Sequence, residues 1–118
     1  MENISKEIQE ELARFQQLQE QYQFYSSQRV QMEHQLSEIE NTMGRLKDID
    51  DGTPLYQNLG SVLIRVKGKK SLEDEMDEKK QTLQRRTDSM KQQEERLKKQ
   101  IESMGEELNE KLKSSGLA

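Results

Sequence analysis

Two clusters and a lone histidine in the 118-residue chain are of residue types that could do chemistry. Asp48, Asp50, Asp51 and Gly52 suggest a calcium loop. An EF-hand counted from Asp48 would put Gly52 at position 5 and Leu59 at position 12, whereas that loop needs its Gly at position 6 and a Glu at position 12. The cluster therefore reads as a helix-ending turn. Gly68, Lys69, Lys70 and Ser71 have the form of the end of a phosphate-binding loop, but the earlier Gly would have to stand at position 63, which is Leu63. A turn followed by a helix cap is the better reading. His34 is the only histidine and there is no cysteine, so neither a zinc site nor a His-based proton relay can be assembled around it. No Ser has a credible base partner for nucleophilic catalysis. The chain is expected not to be an enzyme and to carry no cofactor and no metal.

Charge supplies a fourth candidate. Residues 1–51 carry a net −6, residues 52–70 a net +4 from Arg65, Lys67, Lys69 and Lys70, and residues 71–118 a net −2. The basic centre, extended by Lys79, Lys80, Arg85 and Arg86, could touch nucleic acid. However, the chain is acidic overall at −4 and only 4% aromatic, too poor in rings for base stacking. No nucleic-acid partner is expected, and the basic run suits contacts among subunits. The absence of cysteine fits a reducing compartment. The longest apolar run, Val62, Leu63 and Ile64, is far short of the ~20 residues that span a bilayer. No signal-like segment opens the sequence. A cytoplasmic protein without a membrane partner is the expectation.

The elements that position these residues follow from the apolar pattern. With 30% apolar and 36% charged residues, a compact core is excluded and long helices or disorder remain. From Ile4 to Leu46 the apolar residues keep a heptad. One seam position falls at Ile8, Phe15, Tyr22, Leu36 and Met43, the other at Ile4, Leu18, Tyr25, Met32, Ile39 and Leu46, and only Glu11 and Arg29 break the series. The spacing predicts one helix over roughly 3–48, on the order of 65–70 Å long at 1.5 Å per residue. Glu11 and Arg29 are expected to set register, Arg29 by pairing with an acid across the seam.

Asp48 to Pro54 ends that helix. Leu55 to Lys67 is the only stretch with β-branched residues in alternation. A two-residue turn at Gly60 and Ser61 sets Leu59 against Val62, Gln57 against Ile64 and Leu55 against Val66. One face of the hairpin is then nearly all apolar. Ser71 followed by Asp74 reads as an acidic capping box, with Glu73, Asp74 and Glu75 in the first turn of a second helix. That helix runs to about Lys113 through Leu72, Met76, Leu83, Met90, Leu97, Ile101, Met104, Leu108 and Leu112. Lys79, Arg86 and Gln93 are expected at its alternate seam sites, and the step from Leu97 to Ile101 is expected to be a stutter.

Two helices of similar length joined by a short β segment fold back most simply as an antiparallel coiled coil. Pairing Met43 with Met76 brings Leu36 near Leu83, Tyr22 near Leu97 and Phe15 near Met104, to within a few residues. The hairpin then has no core of its own. Isolated hairpins are marginal in water, and open edges invite other strands. The apolar hairpin residues Leu55, Leu59, Val62, Ile64 and Val66 are thus expected to assemble with hairpins of other subunits. The fold class is mainly α: an antiparallel two-helix coiled coil joined by a β-hairpin that enters a shared β-barrel hub. A single domain over 1–118 is expected, with an N-terminal coiled-coil helix at 1–48, the loop and hairpin at 49–70, a C-terminal coiled-coil helix at 71–113 and a flexible tail at 114–118.

The order helix, Leu55-Tyr56-Gln57-Asn58-Leu59-Gly60-Ser61-Val62-Leu63-Ile64-Arg65-Val66, helix resembles the archaeal-type prefoldin β subunits, which carry a single hairpin. Further matches lie in Phe15-Gln16-Gln17-Leu18-Gln19 and Gln92-Gln93-Glu94-Glu95-Arg96. The resemblance implies an ATP-independent holdase chaperone. It implies an α2β4 hexamer with α-type and further β-type subunits as partners, in which coiled-coil tips capture unfolded proteins for delivery to a group II chaperonin. By position, the implied capture surface is Ile4, Ile8, Leu12, Phe15, Met104, Leu108 and Leu112. Leu12 stands beside the seam and is expected to be left uncovered by the partner helix. The rival reading is a structural coiled-coil spacer or adaptor assembled through its hairpin; a continuous parallel dimer is disfavoured by the turn at 48–54.

Overall fold

The structure, a computed structural model, describes residues 5–116. Ile4, expected both in the seam and on the capture surface, lies outside the described residues. The element order is helix α1 (Lys6–Leu46), strand β1 (Tyr56–Leu59), strand β2 (Val62–Arg65) and helix α2 (Lys69–Ser114). The chain divides into two compact units, one of residues 1–30 with 88–118, the other of residues 31–87.

Local chemistry explains where the helices start and stop. Ser5 Oγ accepts a hydrogen bond from the Ile8 amide at 3.2 Å, an N-cap that satisfies one orphan donor and starts α1 later than residue 3. Amides of Asp48 and Ile49 turn back onto the carbonyls of Arg45 and Leu46, which ends α1 at Leu46 rather than 48. Helix α2 starts at Lys69, not at Ser71. The Leu72 amide donates to the Gly68 carbonyl at 3.2 Å, so Ser71 already lies inside the first turn and the expected capping box does not form. Lys69 and Lys70 instead reach Glu73 and Asp74 one turn on, at 3.9 and 3.6 Å. Gly116, at φ +76°, closes the other end, its amide on the Lys113 carbonyl.

In the unit of residues 31–87, Leu36 and Leu46 of α1 are buried, and Met32, Ile39 and Met43 are half-buried with Leu72, Met76 and Leu83 of α2. Lys80 reaches Glu40 at 3.9 Å. The strands form a two-stranded antiparallel sheet with Tyr56 opposite Arg65, Gln57 opposite Ile64, Asn58 opposite Leu63 and Leu59 opposite Val62, the register expected from the turn. The Val66 amide on the Leu55 carbonyl, at 3.0 Å, continues the ladder. Gly60 alone supplies the positive φ, +78°, that a Gly-first two-residue hairpin turn requires.

In the other unit, Ile8 of α1 and Leu97 and Leu108 of α2 are buried. Arg29 pairs with Glu94, and Lys111 with Glu11. Both breaks in the first heptad are therefore answered by opposite charges on the second helix. The helices run antiparallel: Phe15 lies against Gly105, where a Cβ would meet its ring at 3.5 Å, one residue from the expected Met104.

The seam of α2 corrects the expectation. Its two positions are Met76, Leu83, Met90, Leu97, Met104 and Lys111, and Lys80, Thr87, Glu94, Ile101 and Leu108, all buried or half-buried. Lys79 and Arg86 are exposed. The companion of each apolar residue stands four residues on, not three, so the step from Leu97 to Ile101 is regular and there is no stutter. One apolar residue in seven cannot distinguish the two spacings.

Thr87, 1% exposed, leaves its Oγ1 without a hydrogen-bond partner. Thr87→Val keeps the shape and removes that cost, and should stabilise the chain by ~1–3 kcal/mol, read as a higher thermal unfolding midpoint. Arg29→Leu strands the Glu94 carboxylate and should cost ~3 kcal/mol, the low end for a broken buried pair because Arg29 still reaches solvent. Adding Glu94→Leu should restore most of that loss in denaturant titrations.

Candidate functional site: the terminal seam and the hairpin

The residues expected on the capture surface fall in the unit of residues 1–30 and 88–118. Ile8 and Leu108 are seam core; Phe15, Met104 and Leu112 are half-buried beside them. Leu12 is also half-buried, contrary to the expectation that it stands uncovered, and it follows Glu11, which meets Lys111 of the facing helix. Shallow clefts flank the seam. One of about 460 Å³ borders Leu18, Ser103 and Met104; another of about 480 Å³ borders Ile8, Glu110, Lys111 and Ser114. The apolar groups therefore stand in a line along the seam, and the innermost ones are exposed only when the terminal turns open. Such opening costs little at helix ends, where neighbours are missing on one side.

Lys111 links the two helices at this end of the seam. Its ammonium bonds Glu11 and approaches Glu7 at 3.5 Å. The hydrogen bond to Glu11, reinforced by the charges of Glu11 and Glu7 and opposed by desolvation, holds Lys111 above its ordinary value of 10.5. Sequence reasoning missed this residue, although the Glu11 break was the signal that a cation must stand opposite.

The hairpin site lies wholly in residues 31–87. On the apolar face, Leu59, Val62 and Ile64 are exposed while Leu55 and Val66 at the neck are half-buried. The opposite face also exposes Tyr56 and, at 68%, Leu63. Both faces thus present apolar groups, more than the one-sided pattern in the sequence required. Along the β1 edge runs a groove of about 980 Å³ lined by Tyr56 and Asn58 with Ile39, Leu72, Met76 and Leu83 of the helices. Gln57 Nε2 donates to Glu75 Oε1 at 3.4 Å, a direct tie from strand to helix. Phe24 and Val30 of α1 are further exposed apolar residues that the heptad reading left aside. Phe24 rests edge-on against Tyr25, with ring centroids 5.6 Å apart.

His34 is exposed beside Glu38 at 3.1 Å. Among the described residues, no three His, Cys, Asp or Glu side chains gather as a metal site, and no helix is long and apolar enough to cross a membrane.

Because the Lys111 value is raised, its contribution is fully present below the unfolded value and is lost as pH rises through the higher folded one. Lys111→Met should lower the thermal midpoint at neutral pH. The gap between variant and wild type should close as the solution becomes strongly alkaline, in parallel melts followed by circular dichroism.

A sequence profile of the prefoldin subunit family matches residues 9–115. The prefoldin subunit beta of Thermoplasma acidophilum is 42% identical over 76 residues, 64% of this chain and 61% of that protein. The chain thus spans less than two thirds of that relative's length. The prefoldin subunit beta of Archaeoglobus fulgidus is 36% identical over 84 residues, 71% of this chain and 72% of its own length. Among solved structures, the prefoldin beta subunit from Thermococcus strain KS-1 superposes with a TM-score of 0.83 at 22% identity, over 95% of this chain and 97% of that one, a likeness of fold. With two heptad helices around a single Gly-turned hairpin, and with relatives of the beta type at this level of identity, the chain belongs to the prefoldin subunit family.

Proposed function

We propose that the chain is one subunit of an ATP-independent holdase chaperone. It assembles through its hairpin with α-type and further β-type subunits into an α2β4 hexamer, holds unfolded proteins at its coiled-coil tip, and passes them to a group II chaperonin. The observation that carries the proposal is the hairpin: five large apolar side chains, Tyr56, Leu59, Val62, Leu63 and Ile64, stand about half exposed or more on one small sheet. Such a patch calls for a partner. A barrel shared with other hairpins would cover one face and remove the edges. The names of the beta-type relatives support the same assembly.

For capture, Ile8, Leu12, Phe15, Met104, Leu108 and Leu112 supply apolar surface when the terminal turns open, with Ile4 ahead of them in the sequence. Each covered side chain contributes ~1.5–3 kcal/mol at most, reduced by ordering costs, and the methionine adapts to varied shapes. One tip then binds weakly. Several tips on one hub raise the effective concentration, so that avidity of ~10² to 10⁴ follows without new contacts. Such binding needs no nucleotide for release.

The burial of Ile8 and Leu108 in the seam also favours a second reading, a spacer or adaptor whose termini are plain coiled coil. Changing Ile8, Leu12, Met104 and Leu108 together to Ser separates the two. A chaperone subunit should keep its assembly mass, since the hairpin belongs to the other unit, and lose at least tenfold in suppressing aggregation of a denatured test protein. In a spacer the wild type gives no such protection and the variant changes nothing.

A further inference from the structure

Of the basic run Arg65, Lys67, Lys69 and Lys70, one member is withdrawn from solvent. The Lys69 side chain is 16% exposed, whereas that of Lys70 is 90% exposed. Lys69 Nζ donates to the Ile49 carbonyl at 2.8 Å and to the Lys47 carbonyl at 3.2 Å. Both carbonyls belong to the chain leaving α1, where backbone acceptors have lost their helical partners. A cation is the suitable donor there because the end of a helix carries partial negative charge.

We propose that Lys69 is the positioning residue for subunit assembly. Its ammonium closes the neck of the 19-residue segment 50–68 and thereby sets the direction in which the hairpin is offered to other subunits. The proposal rests on the assembly reading above and names the residue that makes the hairpin competent for it. Three observations converge. The two hydrogen bonds join the exit of α1 to the first residue of α2. Glu73, 3.9 Å away on the next turn, is a charge partner for the same ammonium. Beyond the neck, the described ties from the sheet to the helices include a single long side-chain hydrogen bond, Gln57 to Glu75. Without the clamp, the strands keep their own ladder, but the ends of the segment are free to splay. Each docking event must then fix a hairpin that was not held in place beforehand. Preorganisation of this kind acts on association without adding a contact at the interface.

The test mixes the full chain with a prefoldin α-type subunit from the same organism and follows assembly mass by sedimentation over a dilution series, with helix content by circular dichroism. Lys69→Met keeps the aliphatic stem and removes the donors. It should raise the concentration of half-assembly at least tenfold with helix content unchanged. Lys69→Arg should recover most of the loss, and Lys70→Met should behave as wild type. Lys69→Met assembling like the wild type overturns the proposal alone, as does Lys70→Met failing to the same degree. Wild-type chain that stays unassembled at every concentration overturns the assembly reading and this proposal with it. Should the Met variant lose its helix, Lys69→Gln, too short to reach both carbonyls, takes its place, and wild-type assembly by that variant overturns the proposal equally.

Discussion

A pair of helices has one shared stripe of buried side chains, and each unit of this chain depends on it for burial. Globular domains can hide a polar residue in a second layer; a two-helix seam cannot. Every polar side chain admitted to the stripe must therefore meet its complement directly or go unsatisfied. Arg29 with Glu94, Glu11 with Lys111 and Lys80 with Glu40 are satisfied cases, and Thr87 is an unsatisfied one. The satisfied pairs also discriminate between registers. Sliding one helix past the other by a heptad would set Arg29 against Thr87 or Ile101 and leave a buried charge alone, a cost of several kcal/mol that apolar layers, indifferent to which neighbour they meet, do not impose.

What was legible in advance divides along the same line. The first helix has two apolar residues in nearly every heptad, so its seam, its approximate extent and the need for an acid opposite Arg29 could be read from the residues. The hairpin was equally plain, because Gly60 at a two-residue turn leaves one register for the alternating strands on either side. The second helix was half legible. Between Met76 and Leu97 a single apolar residue per heptad marked one seam position, but Lys80, Thr87 and Glu94 look like surface residues, and only the opposing helix reveals that they face inward. The start of α2 was hidden for a related reason. Ser71 and Asp74 offered a local capping box, whereas the helix starts two residues earlier, at Lys69, whose ammonium is engaged by carbonyls some 20 residues away, an interaction without a local sequence signature.

The terminal seam was legible as a stripe and not as a surface. Composition placed apolar side chains at both ends of the chain, but not the Lys111 ammonium that joins two carboxylates of the facing helix beside them. On the capture reading proposed above, the same residues serve as core while the turns are closed and as contact area when they open. A seam of modest stability therefore suits both roles better than an ideal Leu zipper would. A zipper would hold its termini shut.

The hairpin ladder carries one more implication. With Leu55, Gln57 and Leu59 bonded inward to Val66, Ile64 and Val62, the amides and carbonyls of Tyr56, Asn58, Leu63 and Arg65 are directed outward. An added strand can therefore engage either edge only at every second residue, and an offset of one would turn its side chains to the wrong side of the sheet. Compatibility between this edge and any strand added to it is thus counted in whole pleats, whatever the sequence of the helices.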